Sequence, residues 1–155
     1  IRISRNEYLK RARFFIDDER VFKIECLLRE NMEQGYISLI KFKHFEKLPD
    51  IKYPWNSYLL RSVVDKYISD LKIIETQNKD RRFERGIIVD KKSDYNDYKD
   101  IVIDIMRKSS VYKLNENSML ELLVKNGLTY KMIPRELYSS DKILYEDEYF
   151  KLTDN

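Results

Sequence analysis

Two short runs of strand-forming residues constrain the fold of this chain more than any other feature. The first run spans residues 71–76 and the second spans residues 85–89. Both are rich in the β-branched residues that favour strands, and a polar segment, residues 77–84, separates them. This pattern predicts a β-hairpin. Because Lys and Arg are concentrated in and beside the connection, the tip of the hairpin is expected to be basic.

A helix and a short strand are predicted well before the hairpin. Apolar residues recur at spacings of three and four over residues 18–34, which is typical of an amphipathic helix. Asp17 and Asp18 can cap its beginning, and Gly35 can supply the left-handed backbone conformation that commonly ends a helix. The next two residues, 36–37, predict a short strand that pairs with the hairpin.

Two further helices are predicted between this strand and the hairpin. Ser38 is a good N-cap for a helix over residues 39–47, which is expected to end at the proline that follows. Pro54 suits the first position of a helix over residues 54–70, whose wide apolar stripe is typical of a helix packed on several sides. The predicted order is therefore helix, strand, helix, helix and hairpin.

The segments on either side of this region are predicted to form separate parts of the chain. Residues 1–17 are expected to be a basic arm that contains a helix over residues 5–16. Residues 93–155 are expected to form a C-terminal helical unit that closes with a second hairpin. Its predicted helices span 95–108, 116–127 and 135–140, and its predicted extended segments span 111–114, 143–145 and 149–152.

Basic residues are concentrated in the half of the chain that contains the first hairpin. The chain carries 30 Lys and Arg against 27 Asp and Glu, so its formal net charge is only +3. Residues 1–92 hold 21 basic and 15 acidic side chains, a net +6, whereas residues 93–155 hold 9 and 12, a net −3. Clustered positive charge is typical of surfaces that bind nucleic acid. The first half is therefore the better candidate for such a surface.

The element order resembles that of the winged helix-turn-helix superfamily over residues 18–92. The likeness consists of the Ser38-capped second helix, the third helix that begins at Pro54, and the basic hairpin. It implies a mainly α fold with a small sheet, of the α+β class. It also implies that the third helix enters a DNA groove while the hairpin, or wing, lies on the backbone. Residues 93–155 are then interpreted as a helical extension or a second, smaller winged-helix-like unit.

Nine residues are candidates for contact with DNA. Side chains of the third helix would reach base edges or phosphates, whereas cations of the second helix and the hairpin would neutralise the backbone. The candidates are Tyr58, Arg61 and Ser62 on the third helix, Lys41 and Lys43 on the second, and Lys79, Arg81, Arg82 and Arg85 in the hairpin. Two other interpretations of the hairpin charges stay open: a loop that is charged because it is solvated, and a contact with protein.

The chain lacks the residue combinations on which most catalytic and metal sites depend. It contains one His, His44, one Cys, Cys26, and three scattered Gly, so no metal-ligand spacing and no glycine-rich phosphate loop is predicted. The aspartates within residues 94–104 have the helical spacing that is typical of a solvated helix face. We therefore expect a protein that is not an enzyme and that uses no metal or cofactor.

Two further features bear on the location and completeness of the chain. A single cysteine cannot form an intramolecular disulfide, and no apolar run is long enough to span a membrane. Both are expected of a cytoplasmic protein that has no membrane partner. The chain begins at Ile1 rather than Met, which is expected of a segment from a longer protein.

These features predict a DNA-binding module, part of a larger bacterial transcription regulator or DNA-processing protein, with duplex DNA as its partner. Its wing would contact the backbone and its third helix would enter the groove. The alternative is a winged-helix module that binds other domains or proteins and no nucleic acid. The acidic second half and Asp65 on the third helix favour that alternative.

Overall fold

The structure, a computed structural model, describes residues 1–76 and 85–153. Within these residues the chain forms four α-helices and two three-stranded antiparallel sheets, which confirms the predicted α+β class. The described residues form two compact units, residues 1–74 with 85–93, and residues 75–76 with 94–153. In these ranges no helix combines the length and the apolar character needed to cross a bilayer.

The first helix of the first unit confirms the amphipathic helix predicted there. Helix α1 spans Asp18–Glu30 and buries Ile24 and Leu28. Asp17 is its N-cap, because the carboxylate accepts a hydrogen bond from the backbone N–H of Arg20 at 2.8 Å. Gly35 has the expected positive φ, 84°, but it lies in the turn that leads to the first strand rather than directly after the helix.

The predicted hairpin and its third strand form the sheet of the first unit. Its strands are β1 (Tyr36–Ser38), β2 (Leu71–Ile74) and β3 (Ile87–Asp90), in the order β1-β3-β2. Because β3 is central, Ile88 pairs with Ile37 on one side and with Ile73 on the other. The sheet expected around residues 36–37, 71–76 and 85–90 is therefore confirmed, whereas the connection at 77–84 lies outside the described residues.

The third predicted helix is present but begins later than Pro54. Helix α2 spans Ser57–Tyr67. Its N-cap is Asn56, whose side-chain oxygen accepts a hydrogen bond from the backbone N–H of Leu59 at 3.0 Å. A helix with Pro54 at its first position would have Tyr53 as its N-cap, and tyrosine is not a capping residue. The helix instead starts where the asparagine can satisfy one of its unpaired backbone N–H groups.

The predicted second helix over residues 39–47 is wrong. Ser38 belongs to β1, where it pairs with Ile87, and therefore does not cap a helix. The backbone N–H of Leu39 donates to the carbonyl of Gly86 at 3.1 Å, so sheet hydrogen bonding continues into the residues that would have begun the helix. The remaining residues form a turn and one 3-10 turn.

The predicted basic helix over residues 5–16 is also wrong. Only one 3-10 turn, Arg11–Arg13, occurs there. Phe14 and Ile16 are buried, whereas Phe15 between them is 85% exposed. This alternation is that of extended chain, in which successive side chains point to opposite sides. Residues 1–17 fall within the first unit.

The second unit matches its predicted elements closely. Its helices are α3 (Tyr98–Lys108) and α4 (Glu116–Lys125), and its strands are β4 (Lys113–Asn115), β5 (Ile143–Glu146) and β6 (Tyr149–Leu152). The segment predicted as a helix over residues 135–140 contains only a 3-10 turn. The sheet order is β4-β6-β5, so each unit places the last strand of its terminal hairpin at the centre of its sheet.

Candidate nucleic-acid interface

Three segments that carry predicted candidates are joined at one end of the first sheet. The carbonyl of Gly86, just before β3, accepts a hydrogen bond from Leu39, so the turn after β1 lies beside the start of β3. Arg61 on α2 donates from Nη1 to the carbonyl of Arg85. One bond between backbone groups and one from a side chain to a carbonyl thus join segments that are distant in sequence. We call this group the sheet-end surface: Lys41, Lys43, Arg61 and Arg85.

The sheet-end surface is accessible. Lys41, Lys43 and Arg85 are exposed, and Arg61 is half-buried. Arg61 acts as a positioning residue, since its guanidinium holds the backbone from which the Arg85 side chain projects. Lysine and arginine side chains in such a group are suited to contact the phosphates of nucleic acid.

Gly86 makes the close approach of Arg61 feasible. Its φ is +126°, a conformation that residues with a side chain rarely adopt. A Cβ atom at this position would lie 2.9 Å from Ile73 Cγ2 and 3.1 Å from Arg61 Nη1. The sequence Arg85-Gly86 therefore combines the basic side chain with the glycine that lets α2 reach it.

The face of α2 that was predicted to enter a groove is covered by residues 1–9, which we call the N-terminal segment. Tyr58 is only 7% exposed, and the guanidinium of Arg2 lies 4.1 Å from the centroid of its ring. Ser62 Oγ accepts a hydrogen bond from the backbone N–H of Arg2 at 3.0 Å. Tyr58, which was predicted to reach base edges or phosphates from this helix, is therefore buried, and Ser62 is half-buried under the same segment.

The N-terminal segment was missed because its order depends on distant partners. The backbones of Ile1 and Leu9 exchange hydrogen bonds of 2.9 and 2.7 Å. The side-chain amide of Asn56 donates to the carbonyl of Ile3 at 2.8 Å, and the aliphatic side chains of Ile1, Ile3 and Leu9 pack against the core. The one local signal is the apolar and polar alternation over residues 1–4, which is typical of extended chain.

Four other residues from the sequence analysis, three cations of the hairpin and Asp65, do not belong to the sheet-end surface. Lys79, Arg81 and Arg82 lie outside the described residues, so their contact with phosphate stays a prediction. Asp65, which was expected to oppose DNA, is exposed, and its carboxylate lies 3.2 Å from Nζ of Lys66. A neighbouring cation thus partly offsets its charge.

The aspartates of the second unit stabilise the start of α3 and its surroundings. Asp97 is the N-cap of α3 and forms a capping box with Asp100. Asp104 accepts hydrogen bonds from the hydroxyl of Tyr95 and from Nζ of Lys108. Across residues 1–76 and 85–153, no cluster of three or more His, Cys, Asp or Glu is arranged to hold a metal ion.

Asp100 is the most extensively bonded of these carboxylates. It accepts hydrogen bonds from the backbone N–H of Asn96 at 2.9 Å, from that of Asp97 at 3.2 Å, and from Nζ of Lys142 at 2.6 Å. Partial burial raises the pKa of Asp100, but the Lys142 ammonium and the two backbone donors outweigh it and hold the pKa below its ordinary value.

We expect Asp100→Asn to lower the free energy of unfolding by about 1–3 kcal/mol at pH 7, because charge-assisted hydrogen bonds are lost. The folded-state pKa is depressed, so the stabilisation is present above the unfolded-state pKa and is lost as pH falls through the folded-state value. The deficit of the variant should therefore be constant above the ordinary pKa of an aspartate, about 4, and should shrink as pH falls below it. Urea unfolding followed by circular dichroism measures this. The exposed Asp141→Asn is the control, and an equal deficit in both variants would contradict the role of Asp100.

Comparison with known proteins identifies no relative of this chain. No family model, curated protein or solved structure matches the chain. Any function must therefore be argued from the charges and contacts of the two units themselves.

Proposed function

We propose that the first unit is a DNA-binding module that contacts the phosphate backbone through the sheet-end surface. The observation that carries this proposal is the joining of the turn after β1, α2 and the start of β3 by the Leu39–Gly86 and Arg61–Arg85 contacts. These contacts join three separate segments, each of which carries basic side chains. Cations that neutralise phosphates release condensed counterions, which favours binding at low salt.

The element order of the first unit supports a relation to the winged helix superfamily. Helix α1, strand β1, helix α2 and the β2–β3 pair follow the order expected of that superfamily, although a 3-10 turn stands in place of the second helix. In this interpretation the module belongs to a larger bacterial transcription regulator or DNA-processing protein. The sheet-end surface then corresponds to the base of the wing.

Binding is proposed to depend little on base sequence. Contacts from Lys and Arg to phosphate position a protein on DNA but carry no direct sequence information. Of the three α2 residues predicted to reach base edges or phosphates, Tyr58 and Ser62 are covered by the N-terminal segment, and Arg61 donates to the carbonyl of Arg85. Duplexes of different sequence should therefore bind with similar affinity.

The test compares two double variants that remove the same charge. Lys41→Ala/Arg85→Ala alters the sheet-end surface, whereas Lys91→Ala/Lys92→Ala removes two exposed lysines that follow β3 at the opposite end of the sheet. Fluorescence anisotropy with a labelled duplex of mixed sequence, measured over a salt series, gives the affinity and its salt slope. We expect the first variant to bind about tenfold more weakly. The slope of log K against log[salt] should become shallower by roughly 1–2, since each phosphate contact contributes about 0.9 to its magnitude.

The control variant should stay within about twofold of the unaltered protein. Equal losses in both variants would show that net charge alone matters and would overturn the sheet-end surface as the site. Absence of binding by the unaltered protein at low salt would overturn DNA binding itself.

Protein binding is the second candidate function, and one observation favours it. Phe15 and Phe22 in the first unit are 85% and 65% exposed. Exposed apolar side chains mark surfaces that contact another protein when they form one contiguous patch. Failure of the unaltered protein to bind duplex DNA at low salt would favour this candidate.

A further inference from the structure

The basic residues near the N-terminus form a second exposed group on the first unit, distinct from the sheet-end surface. We propose that this group is a second DNA-backbone contact, which lies over α2 and takes the place of a helix that enters the groove. The inference rests on the proposed function and extends it to a larger footprint. We call this group the N-terminal surface: Arg5, Lys10, Arg11 and Arg13.

The first sixteen residues carry a strong excess of positive charge. Residues 1–16 contain five basic side chains and one acidic side chain, Glu7. All four members of the N-terminal surface are exposed. Among the described residues, no carboxylate forms an ion pair with Arg5, Lys10 or Arg13. An exposed group of cations with so little compensating charge attracts a polyanion.

The N-terminal surface is held on a rigid support rather than on a free tail. Hydrogen bonds join this part of the chain to α2 near its beginning, middle and end: Asn56 to the carbonyl of Ile3 at 2.8 Å, Arg2 to Ser62 at 3.0 Å, and Arg11 to the carbonyl of Lys66 at 3.5 Å. Helix α2 is about 16 Å long at 1.5 Å per residue. That length corresponds to about five base pairs at 3.4 Å each, so a duplex lying along α2 would present several phosphates.

Aromatic contacts fix the same arrangement. The guanidinium of Arg2 lies 4.1 Å from the ring centroid of Tyr58, and that of Arg11 lies 5.6 Å from the ring centroid of Tyr67. Both tyrosines belong to α2. Arg2 is therefore a positioning residue, because its half-buried guanidinium packs on α2 while neighbouring cations remain exposed.

Contacts with the sheet-end surface and with the N-terminal segment meet on one turn of α2. Arg61 contacts the backbone of Arg85 in the sheet-end surface, and the next residue, Ser62, bonds the N-terminal segment. Consecutive helix residues differ by about 100° in direction, so these two contacts lie on neighbouring sides of the same helical turn. One DNA backbone can then follow both surfaces.

The test uses Arg5→Ala/Arg13→Ala against the Lys91→Ala/Lys92→Ala control, with the same labelled duplex and salt series. We expect the N-terminal variant to bind about five- to twentyfold more weakly, whereas the affinity of the control stays within about twofold. The slope of log K against log[salt] should become shallower by roughly 1–2 in the N-terminal variant. Arg5→Lys/Arg13→Lys should retain affinity within about threefold, because it keeps both charges. Far-ultraviolet circular dichroism confirms that each variant is folded.

Two results would overturn the inference while leaving the proposed function intact. One is an N-terminal variant that matches the control although Lys41→Ala/Arg85→Ala is impaired. The other is an N-terminal variant that binds more tightly than the unaltered protein, which would show that the segment covers α2 against DNA. Absence of binding by the unaltered protein would instead overturn the proposed function.

Discussion

Replacing Ile88 with alanine should lower the free energy of unfolding of the first unit by about 2–5 kcal/mol, the range for a large apolar side chain truncated within a core. Ile88 is fully buried in the central strand β3 and belongs to the core that also contains Leu28 of α1 and Leu60 of α2. Truncation leaves a cavity at the point where the sheet meets both helices. Neighbouring strands on each side limit how far the backbone can move to fill it.

Tryptophan fluorescence reports this effect selectively. Trp55 is the only tryptophan of the chain, packs against the core of the first unit, and donates from Nε1 to the carbonyl of Pro49 at 2.8 Å. Urea unfolding followed at this residue measures the loss. Ile73→Ala is the control, since it makes the same chemical change at a half-buried site on the edge strand. Equal losses at the two positions would contradict the central position of Ile88 in the core.

Local sequence patterns predicted the second unit better than the first. Helices α3 and α4 and the β5–β6 pair are bounded by strong local signals, such as the Asp97 capping box and the Asn115 cap. Such signals act within a few residues and therefore appear in the sequence. The predicted ends differ from the observed ends by a few residues only.

The two wrong helices of the first unit show where local patterns fail. Residues 39–47 carry apolar residues at helical spacing, but their conformation is set by the bond from Leu39 to Gly86, which lies far along the chain. Residues 5–16 likewise owe their extended form to the burial of Phe14 and Ile16 against the core. Tertiary contacts of this kind override helix propensity.

The candidate site was partly predictable for the same reason. The basic character of Arg85 and its place beside a strand could be read from the sequence, as could the choice of Arg61 on α2. Helical periodicity shows which side chains of a helix face away from the main core, and this made Tyr58 appear exposed. Periodicity cannot show that another segment covers that side, as residues 1–9 do.

Gly86→Ala should destabilise the first unit by about 1–3 kcal/mol, because a side chain is rarely compatible with a φ of +126°. The added Cβ would also meet Ile73 Cγ2 at 2.9 Å and Arg61 Nη1 at 3.1 Å. Ile73 Cγ2 belongs to strand β2 and has little freedom to move. The guanidinium of Arg61 should therefore be displaced from the carbonyl of Arg85. Urea unfolding followed by Trp55 fluorescence measures the stability.

Gly35→Ala separates the effect of backbone strain from the effect of displacing Arg61. Gly35 also has a positive φ, 84°, but it is exposed and lies before β1, away from Arg61 in the sequence. Both variants should lose stability through the backbone, whereas only Gly86→Ala should also weaken duplex binding when anisotropy is measured under conditions where both variants remain folded. Equal binding by the two variants would show that the Arg61–Arg85 contact does not organise the sheet-end surface. Weaker binding by Gly86→Ala alone would tie the affinity for DNA to the one glycine that lets α2 reach the start of β3.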